Sequence, residues 1–125
     1  MVKILSIHHV ALTVPAARLE EARRFYSGLL GLEERSRPEA ELGRPGIWYQ
    51  IGALELHIQA RDGGPAPDAD HHPALVVDDL DGLRADLLAN GIEIIEARRL
   101  SGRERFFCRD PFGNRIEFLT QPAGE

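Results

Sequence analysis

The chain has 125 residues, of which 43% are hydrophobic and 28% are charged, as is typical of globular proteins. Its 20 acidic residues outnumber its 15 basic ones, giving a net charge of −5, and the arginines are scattered among acidic residues, which argues against nucleic acid as a partner. The single cysteine excludes an intrachain disulfide. With no signal peptide and no long apolar run, we expect a cytoplasmic protein that does not bind membranes.

The first half of the chain predicts a strand, a helix and three further strands. Alternate residues of the predicted strands share one face of a sheet, and apolar residues at helical spacing mark the helix. Gly52 is suited to the tight connection between the last two strands. The predicted elements are a strand at 7–14, a helix at 18–30 and strands at 32–37, 47–51 and 53–59.

The second half repeats this order after a stretch rich in glycine and proline at about 61–70, which is typical of a linker. Asp78 or Asp79 is suited to cap the second helix, and Asn90-Gly91 to end it. Asp110-Pro111-Phe112-Gly113 has the residues of a type I turn. The predicted elements are strands at 72–77, 92–97, 103–109 and 114–121, with the helix after the first of them.

An internal repeat connects the two halves. His9-Val10-Ala11-Leu12 matches His72-Pro73-Ala74-Leu75, and Leu54-Glu55-Leu56 matches Ile116-Glu117-Phe118 at nearly the same offset. The repeat predicts one α+β domain, residues 1–125, built from two tandem βαβββ modules at about 5–60 and 71–121. We expect their strands to form a cup around a small-molecule site.

Strand alternation places the repeated histidines and glutamates on a polar face, opposite an apolar face that the helices would cover. An ionised glutamate on the inner face of a sheet is costly unless it is paired or bound to a cation. Imidazole and carboxylate together are common ligands of first-row divalent metals. The pattern predicts a metal site formed by His9, Glu55, His72 and Glu117; the alternative is a metal-free pocket of hydrogen-bonded polar groups.

Other residues have weaker signals. His57 shares the face of Glu55 and could replace it as a ligand, orient it, or take no part. Trp48 and Phe106 correspond across the repeat and could line a substrate pocket, although core packing explains them equally well. Cys108 is predicted to be a buried structural thiol. Two further histidines are predicted to be structural or exposed, His8 on the helix-facing side and His71 before its strand.

At these residues the sequence resembles the vicinal oxygen chelate superfamily, which contains glyoxalase I, fosfomycin-resistance thiol transferases, extradiol dioxygenases and bleomycin-sequestering proteins. The resemblance spans roughly residues 5 to 121 and implies a cupped, eight-stranded mixed sheet. Four motifs carry it: His-Val-Ala-Leu at 9–12, Phe-Tyr-x-x-Leu-Leu-Gly-Leu at 25–32, His-Pro-Ala-Leu-Val-Val-Asp-Asp-Leu-Asp at 72–81 and Arg-Asp-Pro-Phe-Gly-Asn-Arg-Ile-Glu at 109–117.

The resemblance implies a divalent metal, namely Ni, Co, Zn, Mn or Fe(II). Glyoxalase I relatives hold it with the equivalents of all four residues, whereas other members use only those of His9, His72 and Glu117. In the family the metal chelates vicinal oxygens of the substrate. A glyoxalase-like lyase or isomerase, with Glu55 or Glu117 as catalytic base, is therefore the leading expectation.

Two other functions stay open: a metal-free protein that sequesters an antibiotic or similar small molecule, and an iron-dependent extradiol dioxygenase. The segment at 100–105 lacks the glycine-rich character expected of a glutathione-dependent glyoxalase I, so the substrate is not implied. The resemblance also implies a homodimer, in which the metal site is shared between subunits.

Overall fold

A computed structural model describes residues 2–63 and 70–122, apart from the side chain of Ala40. The chain divides into two compact units, residues 1–64 and 65–125, whose boundary lies within the predicted linker. No helix in the described part of the chain is long and apolar enough to cross a membrane.

The first unit is a four-stranded mixed sheet with strand order β1-β4-β3-β2, and one helical segment follows β1. Strands β1 and β4 are parallel, and the other neighbours are antiparallel. All the predicted elements are present, although the second strand is shorter than expected. The elements are β1 (His9–Val14), a 3₁₀ turn (Ala16–Arg18), α1 (Leu19–Arg23), a π-helix (Arg24–Leu29), β2 (Glu33–Arg35), a 3₁₀ turn (Glu39–Glu41), β3 (Gly46–Ile51) and β4 (Leu54–Ala60).

The helical segment of the first unit differs from the regular helix that its spacing predicts. It widens after Arg23, and the N–H of Leu30 donates to the carbonyl of Phe25, five residues earlier, at 2.9 Å. Phe25 and Tyr26 are both buried in this wider stretch. A wider helix brings consecutive side chains closer to one face, so two adjacent aromatic residues can both pack into the core.

The second unit repeats this topology with strand order β5-β8-β7-β6, and β5 is parallel to β8. Of the two candidate caps, Asp79 is the one that accepts a hydrogen bond, from the N–H of Gly82 at 2.9 Å. The predicted type I turn closes with the N–H of Gly113 donating to the carbonyl of Asp110 at 3.1 Å. The elements are β5 (Ala74–Val77), α2 (Leu80–Ala89), β6 (Ile95–Glu96), β7 (Arg105–Arg109) and β8 (Arg115–Thr120).

Strand β5 begins two residues later than predicted, so His72 precedes the strand rather than starting it. The reason is Pro73, which has no N–H to donate to the ladder. Its carbonyl accepts a hydrogen bond from the N–H of Glu117 at 3.0 Å, and regular pairing starts with Ala74 opposite Glu117. Glu117 therefore lies opposite the residue two positions after His72, whereas Glu55 lies directly opposite His9.

Each unit buries one face of its sheet under its own helix, and the eight strands form two four-stranded sheets, one in each unit. Apolar residues at alternate strand positions fill both cores, as the sequence predicts. The largest fully buried side chains are Tyr26, Tyr49, Ile47, Ile58 and Val14 in the first unit and Phe106, Phe118, Leu87, Ile116 and Cys108 in the second.

We predict that Cys108 will not react with a thiol reagent at neutral pH while the protein is folded. Its side chain is fully buried, and burial, together with the charge of Asp110, raises the pKa of its thiol to about 12. Reaction with an aromatic disulfide reagent should appear only in denaturant. A Leu88→Cys, Cys108→Ala double variant, whose thiol lies at an exposed position of α2, should react at once; rapid labelling of the native chain would contradict the prediction.

Candidate functional site

A stack of three rings crosses the polar face of the first sheet. Strand pairing sets Ala11 and Trp48 on either side of His57, with His9 opposite Glu55. The rings of His9 and His57 lie 4.1 Å apart and nearly parallel, and those of Trp48 and His57 lie 3.9 Å apart with a 2° angle between their planes. His57 is buried between its two neighbours, so it is a fixed part of this face.

Glu55 is already paired within the first unit. Its carboxylate forms an ion pair with Arg35 and accepts a hydrogen bond from Nε2 of His57 at 2.9 Å, while Nε2 of His8 lies 3.9 Å away. The hydrogen bond from His57, followed by the charges of Arg35 and His8, lowers the pKa of Glu55 against the opposing effect of desolvation. Glu55 therefore stays ionised, and a metal would have to compete with Arg35 for it.

His8 lies beside the polar face of the first sheet, whereas the sequence predicts it on the helix-facing side. Besides approaching Glu55, its Nδ1 lies 3.0 Å from Nδ1 of His9, so one ring donates to the other. His8 precedes β1, where the alternation that holds within the strand no longer fixes the side of the sheet. Nε2 of His9 has no hydrogen-bond partner among the residues that the structure describes, which leaves that atom available to a ligand.

In the second unit, Nε2 of His72 lies 3.0 Å from Oε1 of Glu117. The other ring nitrogen, Nδ1, is 2.6 Å from the backbone carbonyl of Asp70 and donates to it. A neutral imidazole has one N–H, so Nε2 then carries a lone pair that faces the carboxylate. Two acceptors at this distance require a shared proton or a cation.

Glu117 is 3% exposed, and its closest cationic side chain is Arg105, whose Nη1 lies 3.5 Å from Oε2. A buried carboxylate with so distant a partner is costly without a further positive charge. Metal-bound histidines commonly donate their other nitrogen to a backbone carbonyl, as His72 does. His72 and Glu117 therefore fit a divalent cation better than Glu55 does.

The strand registers of the two units do not satisfy both matches of the sequence repeat in one alignment. In the second unit Glu117 pairs with Ala74, two residues after His72. In the first unit the residue two after His9 is Ala11, and Ala11 pairs with His57. If His9 corresponds to His72, the place of Glu117 in the first unit belongs to His57, and Glu55 lies two residues away along β4.

The same comparison corrects the predicted correspondence of Trp48 with Phe106. Trp48 pairs with His57, and Phe107 pairs with Glu117, so Trp48 corresponds to Phe107. Phe106 is fully buried on the helix-facing side, with the guanidinium of Arg84 5.0 Å from its ring centre, and does not line the polar face. A shift of one residue along a strand reverses the face.

Several residues of the two polar faces could not be predicted from the sequence. Arg35 reaches Glu55 only because β2, β3 and β4 are neighbours in a particular register. Phe107 sets the edge of its ring against His72, with ring centres 5.1 Å apart and planes at 84°. The residues of β2 and β7 can be read from the sequence, but the sequence does not tell which of them lie opposite each other.

Among the residues that the structure describes, no group of three or more His, Cys, Asp or Glu side chains is arranged to hold a metal ion. His9 and Glu55 lie in the first unit, and His72 and Glu117 in the second. A cavity of about 520 Å³ lies in the first unit, beside the ring stack, and its lining includes His9, Trp48 and His57.

Replacing His57 with phenylalanine should raise the pKa of Glu55 towards its ordinary value, because the ring stack is kept while the principal hydrogen bond to the carboxylate is lost. A carboxyl whose pKa is lowered by folding stabilises the fold above its unfolded pKa and loses that contribution as pH falls through its folded pKa. His57→Phe should therefore destabilise the protein at neutral pH, and the difference should shrink in acid.

Carboxyl ¹³C shifts followed against pH measure the pKa of Glu55 directly, and urea unfolding at each pH measures stability. His71→Phe, at an exposed histidine outside the network, is the matched control and should leave both unchanged. An unaltered pKa of Glu55 in His57→Phe would show that His57 does not set it.

The model of the Glyoxalase/Bleomycin resistance protein/Dioxygenase superfamily matches residues 6–118 of this chain. Among solved structures, a glyoxalase family protein from Bacillus anthracis is 38% identical, with a TM-score of 0.86, over 98% of this chain and 99% of that one. No curated protein sequence matches the chain.

Two more distant structures show likeness of fold alone. Lactoylglutathione lyase from Agrobacterium tumefaciens is 20% identical, with a TM-score of 0.71, over 94% of this chain and 95% of that one. The fosfomycin resistance protein FosX from Listeria monocytogenes, complexed with Mn(II) and sulfate, is 20% identical, with a TM-score of 0.73, over 98% of this chain and 94% of that one. With two βαβββ units and a family match over nearly its whole length, the chain belongs to the glyoxalase/bleomycin resistance protein/dioxygenase superfamily.

Proposed function

We propose that this chain is a cytoplasmic, divalent-metal-dependent enzyme that acts on a small oxygenated molecule, as a lyase or isomerase of the glyoxalase type. The observation that carries the proposal is Nε2 of His72 at 3.0 Å from the buried carboxylate of Glu117, with Nδ1 of the same ring directed at the carbonyl of Asp70. A cation between or beside these two acceptors would satisfy both. FosX, which shares the fold, is complexed with Mn(II), so the fold accommodates such an ion.

The proposed ligands are His9, His72 and Glu117. The set draws on both halves of the sequence, because the internal repeat supplies one histidine from each. Nε2 of His9 is available, whereas Glu55 is engaged by Arg35 and His57. We therefore leave Glu55 out of the ligand set, in contrast to the four-residue set that the resemblance to glyoxalase I implies.

When bound, a divalent metal would polarise oxygen atoms of the substrate and stabilise negative charge that develops on them. Glu117 is the carboxylate that we assign to proton movement at the substrate, because the lowered pKa of Glu55 makes that residue a weak proton acceptor. Glu55 and Arg35 would instead hold His57 in place, and with it the ring stack that supports His9.

We further propose that the chain works as a homodimer, in which a metal site is shared between subunits. Apolar side chains near the start of the chain are strongly exposed, including Val2, Ile4 and Leu5 at 93%, 91% and 86%. Exposed apolar residues close together in the chain are typical of surfaces that another subunit covers. Light scattering should give twice the mass of the chain, and a monomer would contradict this proposal.

The metal is tested by elemental analysis of the purified protein, before and after incubation with nickel, cobalt, zinc, manganese or iron(II). Wild-type protein should hold a divalent metal in near-stoichiometric amount, and His9→Ala, Glu117→Ala should lose it. Replacing a residue that merely supports a metal ligand typically costs about 10- to 100-fold in affinity, so loss of two ligands should cost at least that. His71→Ala, at the exposed neighbour of His72, is the control and should retain the metal.

No metal under any of these conditions would overturn the enzyme proposal and favour a protein that sequesters a small molecule. Iron together with oxygen consumption on a catechol would favour the dioxygenase, for which two histidines and one carboxylate suffice. Retention of metal by the double variant would overturn the ligand assignment.

A further inference from the structure

The cavity of the first unit is lined by cationic residues at the end of the sheet away from His9. It runs along the polar face of β3 and β4, from His9, which pairs with Glu55 at the start of β4, to Arg61, which follows the end of β4. Arg37 and Arg44, in the connection between β2 and β3, complete that end. Three guanidinium groups thus line one end of a cavity in a chain whose net charge is −5.

Two of these three charges are uncompensated. Glu41, the only acidic residue among those that line the cavity, lies 4.0 Å from Nε of Arg44 and pairs with it. Arg37 and Arg61 have no carboxylate partner in the part of the chain that the structure describes. Positive charge gathered in a concave site attracts anions and raises their local concentration.

A hydrogen bond to the backbone fixes the guanidinium of Arg37 at the edge of the cavity. Its Nη1 donates to the carbonyl of Arg44 at 2.5 Å, which leaves the other N–H groups of the guanidinium free. The guanidinium lies over Gly46, where a Cβ would stand 3.3 Å from Nη1 and only 2.7 Å from the carbonyl oxygen of Ile58. Glycine at this position keeps open the space that Arg37 occupies.

The stacked rings at the floor of the cavity also favour a negatively charged ligand. Because His9, His57 and Trp48 stack from strand to strand, their planes stand across the sheet and their edges point into the space above it. The edge of the Trp48 indole carries partial positive charge, which favours electronegative atoms. Both the floor and the arginine end therefore favour an oxygen-rich, negatively charged ligand.

We propose that the Arg37 and Arg61 end of this cavity binds an oxyanion group of the substrate, a carboxylate or a phosphoryl group, while the oxygens to be chelated lie towards His9. As a statement about the substrate, this rests on the proposed function. Guanidinium groups bind carboxylate and phosphoryl oxygens through paired, charge-assisted hydrogen bonds. The substrate class is thus a small oxygenated organic acid or phosphate ester, rather than a neutral molecule.

Trp48, the only tryptophan of the chain, reports on this cavity directly. The shift of its indole N–H in ¹⁵N-correlated spectra would be followed during titration with phenylacetate, with phenylphosphonate and with the uncharged phenylacetamide. The full chain would be titrated both as purified and after removal of metal with a chelator. The two anions distinguish a carboxylate from a phosphoryl ligand, and the amide has the shape of phenylacetate without its charge.

Phenylacetate or phenylphosphonate should bind at least about fivefold more tightly than phenylacetamide. Arg37→Gln and Arg61→Gln should each weaken binding of the anion about fivefold, or about 1 kcal/mol, the upper range for a solvent-exposed ion pair, with little effect on the amide. Arg24→Gln, at an exposed arginine of the same unit outside the cavity, is the matched control and should bind like wild type.

Equal binding of anion and amide, wild-type affinity in the two cavity variants, or no response of Trp48 to any probe would each overturn the oxyanion site. These results do not depend on the metal. If the protein holds no metal but still prefers the anion, the proposed enzymatic function fails and the oxyanion site stands. If it holds metal but shows no preference, only the oxyanion site fails.

Discussion

The rest of the structure depends on parallel pairing of the first strand of each unit with its last. In the first unit this pairing sets His9 opposite Glu55. In the second unit it brings His72 to Glu117. The members of each pair are more than forty residues apart in the sequence. Because helices bury one face of each sheet, strand alternation leaves these polar side chains on the other face. A change of register by one residue would bury the charged groups and expose the core, so the site and the core are specified together.

The two glutamates that the repeat relates are in different electrostatic surroundings. Glu55 is neutralised by Arg35 and held by His57, whereas the buried Glu117 faces a histidine nitrogen and has Arg105 only at 3.5 Å. The first arrangement is complete in itself and contributes to the fold. The second leaves a buried carboxylate whose guanidinium partner is 3.5 Å away, a setting that suits the proposed cation. Different surroundings can thus give different roles to residues that look equivalent in sequence.

Much of the fold could be predicted from the sequence, because alternation, caps and turns are local signals. The order of strands and helices, the cap at Asp79 and the turn at Asp110 are confirmed, and Val14, Leu56, Ile58, Ile116 and Phe118 of the predicted apolar faces are buried. Register between strands is not local, so the sequence alone matched Trp48 with Phe106, which lies on the other face. It also could not show that the matches of His9 with His72 and of Glu55 with Glu117 belong to different alignments of the strands. The pairing of Arg35 with Glu55 also depends on the order of three strands, which no short stretch of sequence contains.

Two units of the same topology carry different side chains on their polar faces, and the proposed function gives them different tasks. An ancestral unit that repeats must satisfy the same packing on its helix-facing side, so Ile58 and Phe118 stay apolar and buried in equivalent places. The polar face has no such constraint and can diverge. Here the first unit has gathered arginines and a ring stack around a cavity, while the second has kept a buried carboxylate beside a histidine. Attraction of an anion and retention of a cation are opposite electrostatic demands, and the two proposals assign them to different units.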